Sequence, residues 1–302
     1  MSNNNKKEGV NKIGINWYPG HMAKTKRLIK ENINMIDIIY ELVDARIPYS
    51  SKIQDMEDIL SMRPRLLIMT KSDLCDMKET KKWISYYESL GYQVVLADLT
   101  GKLPMKEIMD KTHLLLSGWS EKREQKGLKK RKIRALVVGV PNVGKSTFIN
   151  RFVGKKAVNV GNKPGVTKTL DWIRMNDEVE LLDSPGILWP KFTDQTIALN
   201  LAGLTAIKEE VLPIYEVICH ILLSLYHYYP DLLKERYGIE EIDEEDDLVP
   251  VLDLIGKRRG CMMRGGEVDY DRVMALILQD VKDGKIKGIT FDRYVDKTGN
   301  TQ

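Results

Sequence analysis

The sequence is short of cysteine, and this limits the kinds of protein that it can encode. Its three cysteines, Cys75, Cys219 and Cys261, stand far apart and form neither an even set nor a pair at metal-ligand spacing. The sequence therefore predicts neither a disulfide framework nor a cysteine-bound metal. The thiols favour a reducing compartment.

Long apolar runs are missing as well. The longest, around residues 217–225, contains His220 and Ser224, whereas a membrane-spanning helix needs about 20 consecutive apolar residues. Residues 1–12, MSNNNKKEGVNK, have no apolar core of the kind that a signal peptide carries. We therefore expect no membrane partner. A chain of 302 residues with 43% hydrophobic content can nevertheless bury a full core, and we expect two domains.

What the sequence does contain is a strand, a glycine-rich loop and a helix in direct succession. Residues 133–140 form an apolar run typical of a buried strand. Residues 139–146, GVPNVGKS, match the phosphate-binding pattern G-x-x-x-x-G-K-[ST], and a helix-like stretch begins at Lys145. A glycine-rich turn could match by chance, but the flanking strand and helix favour a nucleoside triphosphate site.

Each part of this loop has a predicted task. Its glycines let backbone N–H groups face a phosphate, Lys145 supplies charge for the β- and γ-phosphates, and the Ser146 hydroxyl can bind Mg²⁺. The predicted nucleotide contacts from the loop are Asn142, Val143, Gly144, Lys145, Ser146 and Thr147.

A second motif, D-S-P-G at residues 183–186, ends another predicted strand. In P-loop proteins an aspartate at this place holds the Mg²⁺ hydration shell, and a glycine N–H touches the γ-phosphate. We therefore predict Asp183 as a magnesium ligand and Gly186 as a phosphate contact, although D-x-P-G is also a common turn. Thr167, in the intervening loop 161–167, is placed to bind Mg²⁺ when the triphosphate is present, which would make that loop a switch.

A third motif, made of Thr70, Lys71, Ser72 and Asp73, directly follows a buried apolar strand. A carboxylate that accepts two parallel hydrogen bonds fits the N1–H and the exocyclic amine of guanine, and adenine offers no such pair. The stem of Lys71 can pack over the purine. The four residues resemble the guanine-specificity pattern [NT]-K-x-D. They could also be a simple helix cap, but their place after the strand favours guanine recognition by Asp73.

Predicted strands and helices alternate along the chain, which indicates a parallel sheet covered on both faces. The predicted strands are 35–43, 65–69, 93–97, 133–140 and a hairpin of 170–175 with 178–182; the predicted helices are 23–32, 52–61, 78–90, 105–116 and a mainly helical region from about 198. The base-reading motif precedes the P-loop by about seventy residues, the reverse of the usual order. Because the termini of such domains lie close together, a circular permutation joined through the basic linker 118–132 gives the same sheet.

In these residues the chain resembles the circularly permuted GTPases of the YlqF family. The matching motifs are W-Y-P-G-H-M (17–22), D-A-R-I-P (44–48), T-K-S-D (70–73), G-V-P-N-V-G-K-S (139–146), P-G-V-T (164–167), D-S-P-G (183–186) and the closing K-I-K-G-I-T-F-D (285–292). The resemblance implies an α/β fold: a circularly permuted P-loop GTPase domain followed by a small all-α C-terminal domain. The corresponding division is an N-terminal segment with a basic helix (1–34), the GTPase domain (35–207), and a helical domain (208–302) that binds RNA or the ribosome.

The resemblance also suggests roles for single residues. Ile187 and Leu188 stand where many GTPases carry the glutamine that orients the attacking water. The family resemblance offers His21 instead, brought in by the ribosome; the alternative is a histidine that only orders the turn before a basic helix. Asn142 implies activation by K⁺, unless it merely tolerates the loop dihedrals.

One part of the nucleotide site departs from the family pattern. The fifth GTPase motif usually carries a serine, which is absent here. We therefore assign the base contact of that motif to backbone groups near Asp98 and Leu99.

The distribution of charge bears on the partner. The net charge is only +4, yet residues 122–134 hold eight basic side chains, and further basic clusters lie at 24–30 and at 257–264. Such runs are often solvated surface, but they also neutralise RNA phosphates without sequence preference. The acidic run 240–247 predicts a surface loop. These clusters favour contact with ribosomal RNA. The resemblance implies a cytoplasmic, monomeric GTPase that binds GTP, GDP and Mg²⁺ and acts late in assembly of the large ribosomal subunit. The alternative is a non-enzymatic RNA-binding scaffold whose nucleotide only orders the fold.

Overall fold

The protein is built around one six-stranded sheet, as its computed structural model describes it for residues 20–125, 131–154, 171–174, 178–188, 194–204, 213–244 and 247–295. The strands are β1 (Ile38–Asp44), β2 (Arg65–Thr70), β3 (Gln93–Ala97), β4 (Ile133–Gly139), β5 (Asp171–Arg174) and β6 (Val179–Asp183). Their order across the sheet is β3-β2-β1-β4-β6-β5. All neighbouring strands are parallel except β5 and β6, which form the predicted antiparallel pair.

Ten α-helices accompany the sheet in the described part of the chain. They are α1 (Gly20–Asn32), α2 (Glu57–Leu60), α3 (Met77–Ser89), α4 (Met105–Gln125), α5 (Lys145–Val153), α6 (Gln195–Leu204), α7 (Ile214–Tyr228), α8 (Pro230–Tyr237), α9 (Val249–Arg259) and α10 (Tyr270–Lys282). None of these described helices combines the length and the apolar character that crossing a bilayer requires.

Both faces of the sheet are covered by helices, as the alternating pattern predicts. On one face Tyr40 of β1 packs edge-on against Phe148 and Phe152 of α5, and α4 lies beside α5 in the same apolar cluster. On the other face α1 and α2 cover β1 and β4, and α3 covers β2. The central strands read as continuous apolar runs because both of their faces are buried.

The structure corrects three element boundaries. Residues 33–35 form a 3₁₀ turn, so β1 begins at Ile38 rather than at residue 35. The helix predicted over 52–61 is reduced to α2. The helix predicted over 105–116 continues to Gln125 and takes up the first half of the predicted linker. Gly118 costs that helix only about 1 kcal/mol, and the good helix formers in residues 121–125, EKREQ, offset this cost.

The C-terminal region is helical, as predicted. The apolar spacing of α7 becomes one buried face, made of Val217, Ile218, Ile221, Leu222 and Leu225. Helix α6 packs against α7 and α10. The domain boundary that we predict between residues 207 and 208 lies outside the described residues, so the division into domains stays a prediction. The described part of the acidic run 240–247 contains neither helix nor strand, as predicted for a loop.

The chain segment after α10 returns to the sheet. The carboxylate of Asp292 accepts hydrogen bonds from the backbone N–H groups of Tyr49 and Ser50, both at 2.7 Å. The indole of Trp83 in α3 donates to the Asp292 carbonyl at 2.9 Å. Asp292 therefore anchors the segment after α10 beside α3 and the turn that follows β1.

Candidate functional site

The motif residues meet at the carboxyl edge of the sheet. Strands β2 and β3 lie on one side of β1, whereas β6 lies on the other side of β4, so the chain's direction across the sheet reverses between β1 and β4. In open parallel sheets the crevice outside the strand ends at such a switch point is the usual ligand site. The phosphate-binding loop follows β4 at this crevice, the base-reading loop follows β2, and D-S-P-G follows β6.

The glycines of the phosphate-binding loop are required by close contacts. A Cβ on Gly139 would lie 2.7 Å from the carbonyl oxygen of Leu42 in β1. Gly144 has φ +103°, and a Cβ there would lie 2.7 Å from Cδ1 of Leu99. Both positions exclude side chains, so the loop can pass close to β1 before α5 begins at Lys145.

Lys145 is held inside the loop that precedes it. Its Nζ donates to the carbonyl oxygens of Gly139 at 3.0 Å and Val140 at 3.1 Å. Burial lowers the pKa of Lys145 to about 8, and the charge of Asp183 opposes this shift. Ser146 and Thr147 follow in the first turn of α5, where unpaired N–H groups and the helix dipole favour an anion.

This pKa predicts a pH dependence of nucleotide affinity. Phosphates stabilise the protonated amine, so they raise the pKa of Lys145 above about 8 on binding. Affinity should be full below that pH and fall above it, by up to about tenfold per pH unit for one linked proton. Titrating a fluorescent guanine diphosphate from pH 7 to 9.5 measures the change. The Lys145→Arg variant keeps its charge and should show no such fall; an equal fall in both would assign it to another group.

Asp183 and Gly186 lie against the phosphate-binding loop. Asp183 ends β6 and is 1% exposed. A Cβ on Gly186 would be 2.9 Å from Cα of Pro141, and the N–H of Ile187 donates to the Gly139 carbonyl at 3.1 Å. The D-S-P-G motif is therefore packed onto the P-loop rather than being an isolated turn.

The donor set fits a magnesium ion. The Ser146 hydroxyl and the Asp183 carboxylate follow the adjacent parallel strands β4 and β6, and hard oxygen ligands of this kind are those that Mg²⁺ prefers. The third predicted ligand, Thr167, lies outside the described residues. Within the described part of the chain there is no cluster of three or more His, Cys, Asp or Glu residues that would hold a metal without such help.

The base-reading loop is joined to the phosphate-binding loop. The Thr70 hydroxyl lies 2.6 Å from the carbonyl oxygen of Val143 and 3.1 Å from that of Val43. Lys71 has a left-handed φ of +56°. Asp73 is exposed, and no described residue forms a hydrogen bond with its carboxylate. Ser72 lies between them and is half-buried.

Asp98 and Leu99 take different roles in the loop after β3. The carboxylate of Asp98 accepts hydrogen bonds from the N–H and the hydroxyl of Thr100, both at 2.7 Å. These bonds lower the pKa of Asp98 and hold its side chain in the turn. Leu99 is buried against Gly144. The loop after β3 therefore lies beside the P-loop. Because the Asp98 carboxylate is bonded within its turn and the Leu99 side chain is buried, a base contact from this loop would use its backbone groups.

Two further predicted residues are His21 and Asn142. His21 lies in the first turn of α1, and its side chain is outside the described part of the structure. Asn142 has φ +57°, a left-handed conformation that asparagine tolerates better than most residues.

The sequence pattern assigned no role to Asp44 and Arg46, although D-A-R-I-P was recognised as a motif. Both side chains are fully buried. The Arg46 guanidinium donates to both carboxylate oxygens of Asp44, and Nζ of Lys71 lies 2.8 Å from Asp44 Oδ2. The only feature of the local sequence that could have pointed to these two residues is an acidic and a basic residue at the end of a buried strand.

Similarity to known proteins bears on the family of the chain rather than on single residues of the site. A family model described as "50S ribosome-binding GTPase" matches residues 134–251. Ribosome biogenesis GTPase A of Priestia megaterium is 45% identical over 279 residues, which cover 92% of this chain and 96% of that protein. The chain belongs to the ribosome biogenesis GTPase A family. Its Thermotoga maritima relative is 29% identical over 284 residues, covering 94% of this chain and 96% of that protein. The crystal structure of GNP-bound YlqF from T. maritima matches with a TM-score of 0.60 and 26% identity over 89% of this chain and 98% of that chain.

Membership in this family confirms several predictions. The chain is a GTP hydrolase with a circularly permuted, YlqF-type P-loop fold and a helical C-terminal region. It is a ribosome biogenesis GTPase, so guanine nucleotide and the ribosome are its partners, and Mg²⁺ is the metal that such GTPases use.

Proposed function

We propose that this GTPase is a switch that binds and hydrolyses GTP during late assembly of the large ribosomal subunit, and that the ribosomal particle stimulates its hydrolysis. The observation that carries the proposal is the 2.6 Å hydrogen bond between the Thr70 hydroxyl and the Val143 carbonyl. This bond joins the loop that we propose to bind guanine to the loop that we propose to bind the triphosphate, which supports a single nucleotide crevice. The proposal implies action in the cytoplasm, where ribosomes assemble, by a monomer.

Within that crevice each loop has one task. Asp73 accepts hydrogen bonds from the guanine base, and the stem of Lys71 packs on its face. When the nucleotide binds, the Lys145 ammonium exchanges its hydrogen bonds to the carbonyls of its own loop for bonds to the β- and γ-phosphates. The N–H groups of residues 142–147 surround those phosphates. Ser146, Thr167 and Asp183 would hold Mg²⁺, which would neutralise negative charge on the phosphates. Gly186 contributes an N–H to the γ-phosphate.

The catalytic group is conditional in this proposal. Ile187 and Leu188 are both buried and apolar, so neither can orient a water molecule at the γ-phosphate. His21 takes this role when the ribosomal particle repositions the start of α1. An imidazole is suited to it because its neutral ring nitrogen can accept a hydrogen bond from the attacking water. Hydrolysis by the free protein is then slow.

A monovalent cation completes the proposed site. Asn142 stands in the P-loop with its backbone held at φ +57°. Its amide oxygen is a suitable ligand for K⁺ next to the β- and γ-phosphates. Such a cation would neutralise the charge that develops on the leaving oxygens, which is the task of an arginine finger in other GTPases.

Basic surfaces support contact with ribosomal RNA. Lys24, Arg27 and Lys30 are exposed on α1. The last turn of α9 carries three further exposed basic residues, 257–259, and Arg264 is exposed in the following loop. Lysine and arginine neutralise phosphates by releasing counterions, so this binding should weaken steeply with salt. The large subunit is the partner proposed for these surfaces.

The test compares GTP and ATP hydrolysis with and without purified large ribosomal subunits. We expect GTP turnover to rise by at least about tenfold with the subunits, and ATP turnover to stay flat, because catalysis needs a group that only the particle positions. Replacing K⁺ by Na⁺ should remove much of the stimulated rate. GTP turnover that does not respond to the subunits would favour the scaffold alternative, in which the nucleotide only orders the fold.

Two variants distinguish the loss of His21 from the effect of removing any exposed histidine. His21→Ala should bind GTP as the wild type does and lose the stimulated rate. The matched control is His113→Ala, which removes an exposed imidazole of α4 that pairs with Glu178 away from the site. Full stimulated hydrolysis by His21→Ala would exclude this histidine from the mechanism.

A further inference from the structure

The conformation of the base-reading loop depends on a buried carboxylate outside its motif. Lys71 has φ +56°, which residues other than glycine rarely adopt. Its Nζ lies 2.8 Å from Oδ2 of Asp44, which ends the neighbouring strand β1 and is fully buried. Burial lowers the pKa of Lys71, and Asp44 opposes that shift because its carboxylate favours the charged ammonium. Asp44 is thus the partner that orients Lys71.

The same carboxylate is linked to the C-terminal helices. Arg46 Nε and Nη2 donate to the two oxygens of Asp44 at 3.0 and 2.8 Å. Its remaining Nη1 donates to the carbonyl of Val281 at 2.7 Å. Val281 belongs to the last turn of α10, where carbonyls lack helical partners and the helix dipole favours a cation. Arg46 therefore caps α10 while it holds Asp44.

A second contact joins the far end of the loop to the segment after α10. The carbonyl of Leu74, which follows Asp73, accepts hydrogen bonds from the N–H groups of Gly288 at 2.8 Å and Ile289 at 3.2 Å. Gly284 also approaches this residue so closely that a Cβ on it would lie 2.6 Å from Cδ2 of Leu74. The segment 281–289 thus contacts the residue after the loop directly and reaches Lys71 through Arg46 and Asp44.

We propose that Asp44 and Arg46 are positioning residues for guanine nucleotide, and that the docking of segment 281–289 on the base-reading loop sets the rate of nucleotide release. The proposal rests on the proposed role of Lys71 and Asp73 in base binding. A ribosomal partner that moves α10 would loosen the loop through Arg46 and Leu74. This connects a C-terminal region with exposed basic residues to the nucleotide without any direct contact between them.

The first test uses the two aspartates that flank β1. Asp37 precedes the strand, is buried and pairs with Arg131 at 2.7 Å; Asp44 ends the strand and pairs with Arg46 at 2.8 Å. Asp44→Asn should speed the dissociation of mant-GDP by about tenfold or more, because it leaves the buried Arg46 and the half-buried Lys71 without their carboxylate. Asp37→Asn should lower the melting temperature but leave the dissociation rate near that of the wild type.

The second test acts from the C-terminal side and uses two glycines of equal backbone conformation. Gly284 has φ +70° and faces Leu74, whereas Gly260 has φ +71° and a Cβ placed on it would have no atom within 4 Å. Both alanine variants carry the same backbone strain. Only Gly284→Ala adds a Cβ against the side chain of Leu74, the residue after Asp73, so only this variant should release mant-GDP faster than the wild type.

The Lys71→Ala variant separates this inference from the function on which it rests. Faster release of mant-GDP by Lys71→Ala and Asp44→Asn, but not by Asp37→Asn, supports both. Faster release by Lys71→Ala, with Asp44→Asn and Gly284→Ala matching their controls, overturns the inference and leaves the base-binding role intact. Unchanged release by Lys71→Ala would contradict the base-binding role and the inference together.

Discussion

The Asp73→Asn variant should lose GTP affinity by about a hundredfold or more and gain affinity for xanthosine triphosphate. The carboxylate accepts hydrogen bonds from N1–H and the exocyclic amine of guanine, and each bond to a charged group contributes about 1.5–3 kcal/mol. An asparagine amide can accept only one of them. Xanthine carries an oxygen in place of the amine, so it offers the acceptor that the asparagine NH₂ group needs.

Competition against mant-GDP, with GTP, xanthosine triphosphate and ATP as competitors, measures this switch. The substitution should change nucleotide binding without changing stability, because Asp73 is exposed and no described residue forms a hydrogen bond with its carboxylate. The substitution should therefore leave the melting temperature unchanged. Asp110→Asn, at an exposed aspartate of α4, is the matched control. Unchanged GTP affinity in Asp73→Asn would end the assignment of this loop to guanine.

The Lys145→Met variant should lower GTP hydrolysis by about a thousandfold or more, since removal of a cation that stabilises phosphoryl transfer has effects of this size. Lys145 is the buried cation of the P-loop, and its ammonium bonds two carbonyls of that loop. Methionine has a similar length and no charge, so it fills the same space without a desolvation cost. Folding should survive, because an apolar residue replaces a buried charge.

Three measurements separate catalysis from folding in this variant: stimulated hydrolysis, mant-GDP affinity and thermal unfolding. Hydrolysis and affinity should fall while the melting temperature stays at or above the wild-type value. Lys111→Met, which removes a lysine of α4 that bonds the Val94 carbonyl, provides the control for losing one lysine. A Lys145→Met variant that hydrolyses GTP at the wild-type rate would place the triphosphate elsewhere.

At helix α4 and at the turn of Asp98, the local sequence pattern did not predict what the structure shows. The apolar pattern predicts a helix that stops before the Ser117-Gly118 pair, but α4 continues to Gln125 because strong helix formers follow the glycine. The position of Asp98 predicts a base contact through nearby backbone groups, and its carboxylate is taken up by Thr100 in its own turn. A short polar side chain can bond its neighbours as easily as a ligand, and sequence spacing does not distinguish the two.

The sequence by itself determined the permuted GTPase fold and the residue types of its nucleotide site. The phosphate-binding, T-K-S-D and D-S-P-G motifs each stand at the carboxyl end of a buried apolar strand, so their identity and their edge of the sheet are local properties of the chain. Motif order along the chain then revealed the permutation. These inferences need no knowledge of which strands are neighbours.

Only the tertiary structure decided how the site is held together. Thr70 meets Val143 across 73 residues of chain, and Arg46 meets Val281 across 235. Strand order and helix docking determine such partners. The sequence around one partner does not indicate which distant residue it will contact. A buried Asp and Arg after a strand have several possible partners; the fold placed Lys71 on one side of them and the end of α10 on the other.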